Sequence, residues 1–362
     1  MIKRSLIIGL MALCIASGMV HAYQTHTVVS GLEIPWGMTF ISDHELLYTE
    51  RRGTAGVVNV QTGKTQEVSG LPEVLAEGQG GLLDVAVPPD YTTGDWIYFT
   101  FSKDIDGRGA TTLARAKLNR LALTHWQDLL VTQSATNTSR HYGSRITFDD
   151  QGFLYFGVGD RGVRPNGQNL KTHAGSVLRL NRDGTVPVNN PFVNTLEAMP
   201  EIWSYGHRNP QGIAWDNTNK RLWEIEHGPR GGDEINLIQK GQNYGWPVIS
   251  YGKEYWGPVA VGEGTEKPGL HQPLKYYVPS IAPGSLLYYG GDAYPEWKGA
   301  LISGALKLRH LNVVKLNKKG RVHSEQRFFE DLNERIRALA QSPNGKLYFS
   351  TDSGKILLIK PE

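Results

Sequence analysis

Cysteine is nearly absent from this chain: Cys14 is the one residue of its kind in 362. Everything beyond it therefore lacks a disulfide framework, thiolate metal sites and cysteine nucleophiles. A chain of this length buries enough apolar surface to stand without covalent staples. Long runs of like charge are missing too. The 38 Lys and Arg residues oppose 35 Asp and Glu, a formal net charge of +3. No basic stretch is present to serve a nucleic acid or an anionic membrane surface. There is no Gly-x-Ser-x-Gly elbow, no Walker loop, no His-Glu-x-x-His, and no Gly-x-Gly-x-x-Gly that opens a helix. Those absences argue against α/β-hydrolase, nucleotide-hydrolysing, zincin and Rossmann chemistry. No Gly/Ser linker divides the chain, and helical periodicity is scarce; turns of helix are expected only at Glu73–Ala76 and Leu121–Leu130.

What is present begins with a leader. Lys3 and Arg4 form a basic start, Ser5 to Met19 is mostly apolar, and Val20-His21-Ala22 offers small residues for cleavage. This is the pattern of a secretory signal peptide over 1–22. The apolar run is short for a membrane span, which needs about 20 residues. The expected mature domain is 23–362, exported to the periplasm and without a membrane span. Without Lys3 and Arg4 the basic count falls from 38 to 36 against 35 acidic residues, which leaves a balance of +1.

One pattern recurs along that domain: an apolar strand, a turn with Asp, Pro or Gly, and a second strand rich in Leu, Tyr and β-branched residues. The six first strands are Trp36–Phe40, Leu82–Ala86, Ser144–Phe148, Gly212–Trp215, Gly284–Tyr288 and Ile336–Ala340. Their partners are Glu45–Thr49, Trp96–Thr100, Phe153–Gly157, Arg221–Ile225, Gly299–Ser303 and Lys346–Ser350. Alternation across a short turn makes each pair a hairpin. Further strands such as Ser176–Leu180 and Leu311–Leu316 follow most copies. Six copies of about four strands predict an all-β fold, a six-bladed β-propeller with four-stranded antiparallel blades. The segment Thr25–Ser30 is expected to join the last blade and close the ring. A β-sandwich with appendages is the alternative.

In a propeller, loops entering successive blades converge on one axial face, and loops on a rigid sheet are where chemistry tends to sit. His141 precedes the third repeat, in Ser139-Arg140-His141-Tyr142-Gly143-Ser144-Arg145. An imidazole there suits a general base or a hydrogen-bonded structural role. Arg208 and Asn209, in Tyr205-Gly206-His207-Arg208-Asn209-Pro210-Gln211-Gly212, hold the matching place before the fourth. A guanidinium there serves an anion, a developing oxyanion or a salt link between blades. Gln79, in Glu77-Gly78-Gln79-Gly80-Gly81, precedes the second. Lys307, Arg335 and Arg337 bring cations from the fifth and sixth. Arg335 and Arg337 are two apart on extended backbone and so share a face. Three such cations aimed at one centre call for an anion; the alternative is a solvated strand edge. Gly228 and Pro229 form a tight turn whose carbonyls suit a hard cation. Asp233 and Glu234 follow, either near that turn or as a solvated pair beside Arg230.

These segments together, with Glu226-His227-Gly228-Pro229 and Asn243-Tyr244-Gly245-Trp246-Pro247, resemble the soluble periplasmic quinoprotein aldose sugar dehydrogenases. They are also similar to the soluble pyrroloquinoline quinone (PQQ) glucose dehydrogenases. The resemblance spans essentially the whole domain. It implies a six-bladed propeller that binds PQQ and Ca²⁺ and oxidises the anomeric hydroxyl of aldoses to lactones, with electrons passing to an external acceptor. It implies His141 as catalytic base, with Arg208 and Asn209 contacting the quinone and Gln79 contacting PQQ. Lys307, Arg335 and Arg337 would hold the PQQ carboxylates. The carbonyls of Gly228 and Pro229 would ligate the cofactor calcium, and Glu234 and Tyr244 would belong to a second calcium site. Arg140, Asp160-Arg161-Gly162 and a short 259–273 loop depart from the glucose-specific pattern, which favours a broad aldose range. A monomer and a homodimer both fit. Two rival functions remain on the residues alone: a calcium-dependent lactonase-like hydrolase with several carboxylate ligands at the axis, and a non-enzymatic sugar- or protein-binding propeller.

Overall fold

The chain folds as six four-stranded antiparallel sheets arranged as a β-propeller. The computed structural model describes residues 23–361, so the leader expected at 1–22 lies outside the described residues. Blades 1 to 5 follow chain order, each from four consecutive strands, over 35–67, 82–131, 146–205, 210–277 and 287–328. Blade 6 takes three strands from 336–361 and its fourth from Tyr23–Val29. That first strand pairs with Ile356–Pro361, Thr25 opposite Ile359. The ring is closed by pairing the first and last strands of the described residues, which removes an exposed sheet edge. All six hairpins read from the sequence form the inner pair of a blade.

Packing explains the strand sequences. Inner strands face a neighbouring blade on both sides, so their residues are buried in near-continuous runs, as in Leu154–Val158. Outer strands face water on one side, and Val322–Phe328 is largely half-buried or exposed. Each seam between blades has its own apolar core. Leu47 and Val57 of blade 1 meet Leu82 and Phe99 of blade 2; Met38 and Tyr48 of blade 1 meet Ala338 and Tyr348 of blade 6. Side chains of this size contribute about 1.5–3 kcal/mol each when fully buried. Near the axis the blades approach so closely that a Cβ on Gly37 would lie 2.7 Å from the Val85 nitrogen, and one on Gly212 2.3 Å from the Leu286 nitrogen.

One side chain ties the ring at its centre. Arg145, just before the inner strand of blade 3, uses all five guanidinium N–H groups on the other five blades. Nη1 donates to the Trp36 carbonyl (2.9 Å) and to Asp84 Oδ1 (2.9 Å). Nε donates to the Gln211 carbonyl (3.2 Å), and Nη2 to the carbonyls of Gly284 (2.7 Å) and Arg337 (2.9 Å). Its face lies 3.9 Å from the Trp36 ring centre.

The two helical expectations fail. Ala122–Val131 is the outer strand of blade 2, with Leu123 opposite Leu118 and Gln127 opposite Arg115. The open edge of the preceding strand supplies a full ladder of partners, which outweighs a weak local preference. Glu73–Ala76 is an irregular connection whose Leu75 amide donates to the Ser102 carbonyl at 2.8 Å. No helix among the described residues is long and apolar enough to cross a membrane.

Candidate active site

Segments entering the inner strands of five blades meet at one mouth of the central channel. The cavity there, about 160 Å³, is lined by Trp36 and Arg51 of blade 1, Gln79, Tyr142, Gly143, Asn209, Gln211, His227, Leu306, Arg335 and Arg337. A larger cavity of about 650 Å³ opens at the opposite mouth. Its wall carries no histidine, and its charges, Asp150 and Lys220, pair with each other at 2.7 Å. The chemistry-bearing groups are therefore concentrated at the smaller one.

His141 is buried, and its backbone is left-handed at φ 57°, a conformation that recurs at functional sites. Its amide donates to Gln79 Oε1 (2.8 Å), and its Nδ1 lies 2.6 Å from Asp160 Oδ1. Asp160 Oδ2 accepts the Trp246 Nε1–H (2.8 Å), and Oδ1 accepts the Gly162 amide (2.7 Å). Burial pulls the His141 imidazole below its ordinary value, against the pull of Asp160, and the Arg208 charge adds to the drop. Burial also raises Asp160, but hydrogen bonding and charge from His141, then Arg208 and the Gly162 amide, carry it below the usual carboxylate value. Asp160 is thus the charged partner. It fixes the proton on Nδ1 and leaves Nε2 as the acceptor. Nε2 has no hydrogen-bond partner among the described residues.

Arg208 is buried beside it. Its Nη1 donates to the carbonyls of His227 (3.1 Å) and Gly228 (2.7 Å), and its guanidinium carbon lies 5.3 Å from the Trp246 ring centre. Asn209 Oδ1 accepts the Gly143 amide (3.2 Å), which fastens blade 4 to the His141 loop. The Pro229 carbonyl accepts no hydrogen bond among the described residues. Asp233, with no exposed surface, accepts the Gly228 amide (3.0 Å), Ser280 Oγ (2.7 Å) and the Ala282 amide (2.9 Å). It is thus not half of a solvated pair; it pins the Gly228 turn to blade 5. His227 donates from Nε2 to the Pro283 carbonyl (2.6 Å). Burial pulls the His227 imidazole down to about 3.

Arg335 and Arg337 grip one carboxylate, Asp352, with Nε contacts of 2.7 and 2.8 Å. Burial raises Asp352, but the charges and hydrogen bonds of the two arginines bring it below the ordinary value. The repulsion expected between them is therefore partly offset within the protein. Positive charge still exceeds negative, because the cavity wall carries Arg51, Arg335 and Arg337 and no carboxylate. Lys307 is exposed next to the lining residue Leu306; its amide donates to the Ile281 carbonyl (3.0 Å), and its ammonium has no partner among the described residues.

Glu234 and Tyr244 do not reach the cavity wall. They lie behind it with a buried group of His207, Glu224 and Glu226, whose ligand atoms fall within 4.8 Å of one another and suit a metal ion. Tyr244 stacks on His207 at 4.8 Å, and its hydroxyl donates to the Leu237 carbonyl and accepts the Gln239 amide. Glu234 pairs across the strand with Glu226. Burial, then repulsion from Glu226, pushes both Glu224 and Glu234 well above the ordinary value. Glu226 Oε2 accepts the amides of Arg208 (2.5 Å) and Asn209 (3.2 Å), so this group sets the turn that presents both residues.

The sequence reading brought His141, Gln79, Arg208, Asn209, Gly228, Arg335 and Arg337 to one region. It gave no role to Asp160, Trp246, Glu226 and His227, which it met only within longer motifs, and it missed Asp352. Asp160 carried a signal, since it follows the end of the strand Leu154–Val158 in the glycine-rich Gly157-Val158-Gly159-Asp160. The others depend on contacts between distant segments.

Comparison with known proteins agrees with this arrangement. The chain is 38% identical over 339 residues to the aldose sugar dehydrogenase YliI of Escherichia coli, covering 91% of each chain. It is 32% identical over 256 residues to quinoprotein glucose dehydrogenase B of Acinetobacter calcoaceticus, covering 63% of this chain and 53% of that one. The PQQ-bound aldose sugar dehydrogenase of Streptomyces coelicolor superposes with a TM-score of 0.78 at 27% identity, covering 94% of this chain and 99% of the other. A family model for glucose/sorbosone dehydrogenases matches residues 32–360. With a propeller, a His–Asp pair at its axial mouth and near-complete coverage by that model, the chain belongs to the glucose/sorbosone dehydrogenase family of oxidoreductases.

Proposed function

We propose that the protein oxidises the anomeric hydroxyl of aldoses to lactones with PQQ and Ca²⁺, and that electrons leave to an external acceptor. The observation that carries this is the cavity wall: three arginines, three amide side chains, no carboxylate, and a neutral histidine with a free Nε2 beside it. That wall fits a polyanionic quinone. It does not fit a lactonase, which needs several carboxylate ligands at the axis, and a binding module needs no oriented base.

Arg335, Arg337 and the exposed Lys307 would hold the carboxylates, while Gln79, Asn209 and Arg208 would face the quinone. The carbonyls of Gly228 and Pro229 would ligate calcium. A second calcium at Glu234 and Tyr244 would draw on buried carboxylates that no Lys or Arg among the described residues pairs. PQQ supplies, when bound, the acceptor for the hydride that leaves the anomeric carbon. His141 Nε2 takes the hydroxyl proton, Asp160 holds the ring and offsets the charge it gains, and Arg208 keeps a fixed positive charge at the reacting centre. Arg140 is exposed, and a broad aldose range remains the reading favoured by the sequence departures.

Titration of the metal-free protein with PQQ and Ca²⁺, followed by an aldose, tests the whole reading through the quinone absorption spectrum. Each of Arg335→Ala and Arg337→Ala should weaken PQQ by about 10-fold or more, the scale of a lost charge-assisted hydrogen bond. The sugar KM should change less. Parent-like PQQ affinity in both variants would remove the clamp.

We also propose export to the periplasm with cleavage after Ala22, on the strength of the leader's basic, apolar and small-residue order. N-terminal sequencing of the exported protein should begin at Tyr23; an intact Met1 would refute it.

A further inference from the structure

We propose that His227 binds the cofactor, its Nδ1 accepting a hydrogen bond from the one N–H group of the PQQ ring system. The inference rests on the cofactor reading above and adds a contact to it. His227 follows the second strand of blade 4 and lines the axial cavity together with Arg335 and Arg337. Its Nε2 lies 2.6 Å from the Pro283 carbonyl. A carbonyl only accepts, so Nε2 carries the proton, and the neutral ring leaves Nδ1 as a bare acceptor. No described residue donates to it. The tether to Pro283, in the loop that enters blade 5, fixes the ring's orientation across a seam between blades.

The rest of the wall is built mostly of donors. Arg51, Arg335 and Arg337 have no acceptor atoms on their side chains. Asn209 Oδ1 takes both the Gly143 amide (3.2 Å) and the Gln211 amide nitrogen (3.3 Å), so Asn209 has only N–H left to offer; Gln79 Oε1 takes the His141 amide (2.8 Å) and keeps one lone pair besides its N–H. PQQ is the complement of such a wall. Its carboxylates, quinone oxygens and pyridine nitrogen all accept, and its pyrrole nitrogen alone donates. A buried donor left without a partner costs binding, so one fixed acceptor among donors orients the ring system as well as holding it. Gln211 Oε1 and the buried Tyr142 hydroxyl, which also donates, are the other side-chain acceptors on the wall without a partner; the Gln211 amide nitrogen lies 3.3 Å from the Gly143 carbonyl.

The test is equilibrium binding of PQQ, and of PQQ methylated on the pyrrole nitrogen, to the full-length processed protein with Ca²⁺, read by absorbance and tryptophan fluorescence. The parent should prefer PQQ over the methylated form by roughly 5- to 30-fold, the range expected for leaving one buried polar group unpaired. His227→Leu should weaken PQQ by about that factor and bind the two compounds alike. His227→Asn, which keeps an acceptor near the Nδ1 position, should retain part of the preference and guards against a variant that folds poorly. The aldose KM of the loaded variants should stay near the parent's. A His227→Leu protein that binds PQQ as tightly as the parent overturns the proposal, as does one whose preference persists, which would move the contact to Gln211. A parent that binds neither compound would instead overturn the cofactor reading itself.

Discussion

Arg145→Met is expected to lower the stability of the propeller by about 3–5 kcal/mol, the scale for removing one partner of a buried ion pair. Arg145 and Asp84 are both nearly inaccessible, at 6% exposure each. Without the guanidinium, Asp84 keeps only backbone donors, the Ile146 amide at 2.9 Å from Oδ2 and the Val85 amide. Burial already pushes the Asp84 carboxyl above its ordinary value, and Arg145 is the largest influence opposing it. Four carbonyls from blades 1, 4, 5 and 6 lose a donor at the same time. Arg145→Lys should recover little, because one ammonium cannot reproduce a planar fork with five donors. Asp84→Asn combined with Arg145→Met should recover part of the loss by removing the stranded charge. Urea titration of the four proteins gives the comparison. A loss below about 1 kcal/mol in Arg145→Met would show that the six apolar seams hold the ring unaided.

The fold was largely legible because repetition amplifies a weak signal. No single hairpin is decisive, yet six in register with one another leave few architectures. The ring's closure was legible too, since Tyr23–Val29 could only be an orphan strand without blade 6. Leu121–Leu130 was misread because an outer strand alternates poorly and its ladder partners lie in the preceding strand. At the candidate site, the residues read from type and from their place before a blade, His141, Arg208, Arg335 and Arg337, come together near one mouth of the ring. Their supports were not legible. Asp352 looks like an ordinary turn residue in Thr351-Asp352-Ser353-Gly354, and its role exists only once the pairing of Ile336–Gln341 with Leu347–Thr351 brings it to the two arginines. Arg145 is one basic residue among 38 until the ring closes around it.

His141→Ala should keep the cofactor and lose the reaction. On the proposed function, sugar-dependent reduction of bound PQQ should fall by about 10²-fold or more, as expected for loss of a positioned base. PQQ and Ca²⁺ affinity should stay near the parent's, because the cofactor contacts are assigned to other side chains. Asp160→Asn should give a smaller fall, since an amide still holds the ring through its oxygen but cannot offset the charge it gains. The pH profile separates the two roles. The folded His141 imidazole titrates below its ordinary value, chiefly through burial, so the parent keeps its base as pH falls through 6.5 and loses activity only below that. Removing the Asp160 carboxylate takes away an influence that raises the imidazole value. The acid limb of Asp160→Asn should therefore lie lower in pH, with a lower plateau. The same sign applies to stability: a histidine whose folded value is depressed contributes nothing adverse above 6.5 and destabilises progressively as pH drops toward that folded value. His141→Ala should abolish this contribution. Stopped-flow reduction of the bound quinone by an aldose, followed across pH, measures the chemical step apart from reoxidation. A fully loaded His141→Ala protein that reduces PQQ at the parent rate would exclude His141 as the base and leave Asp160 orienting a ring with no part in proton transfer.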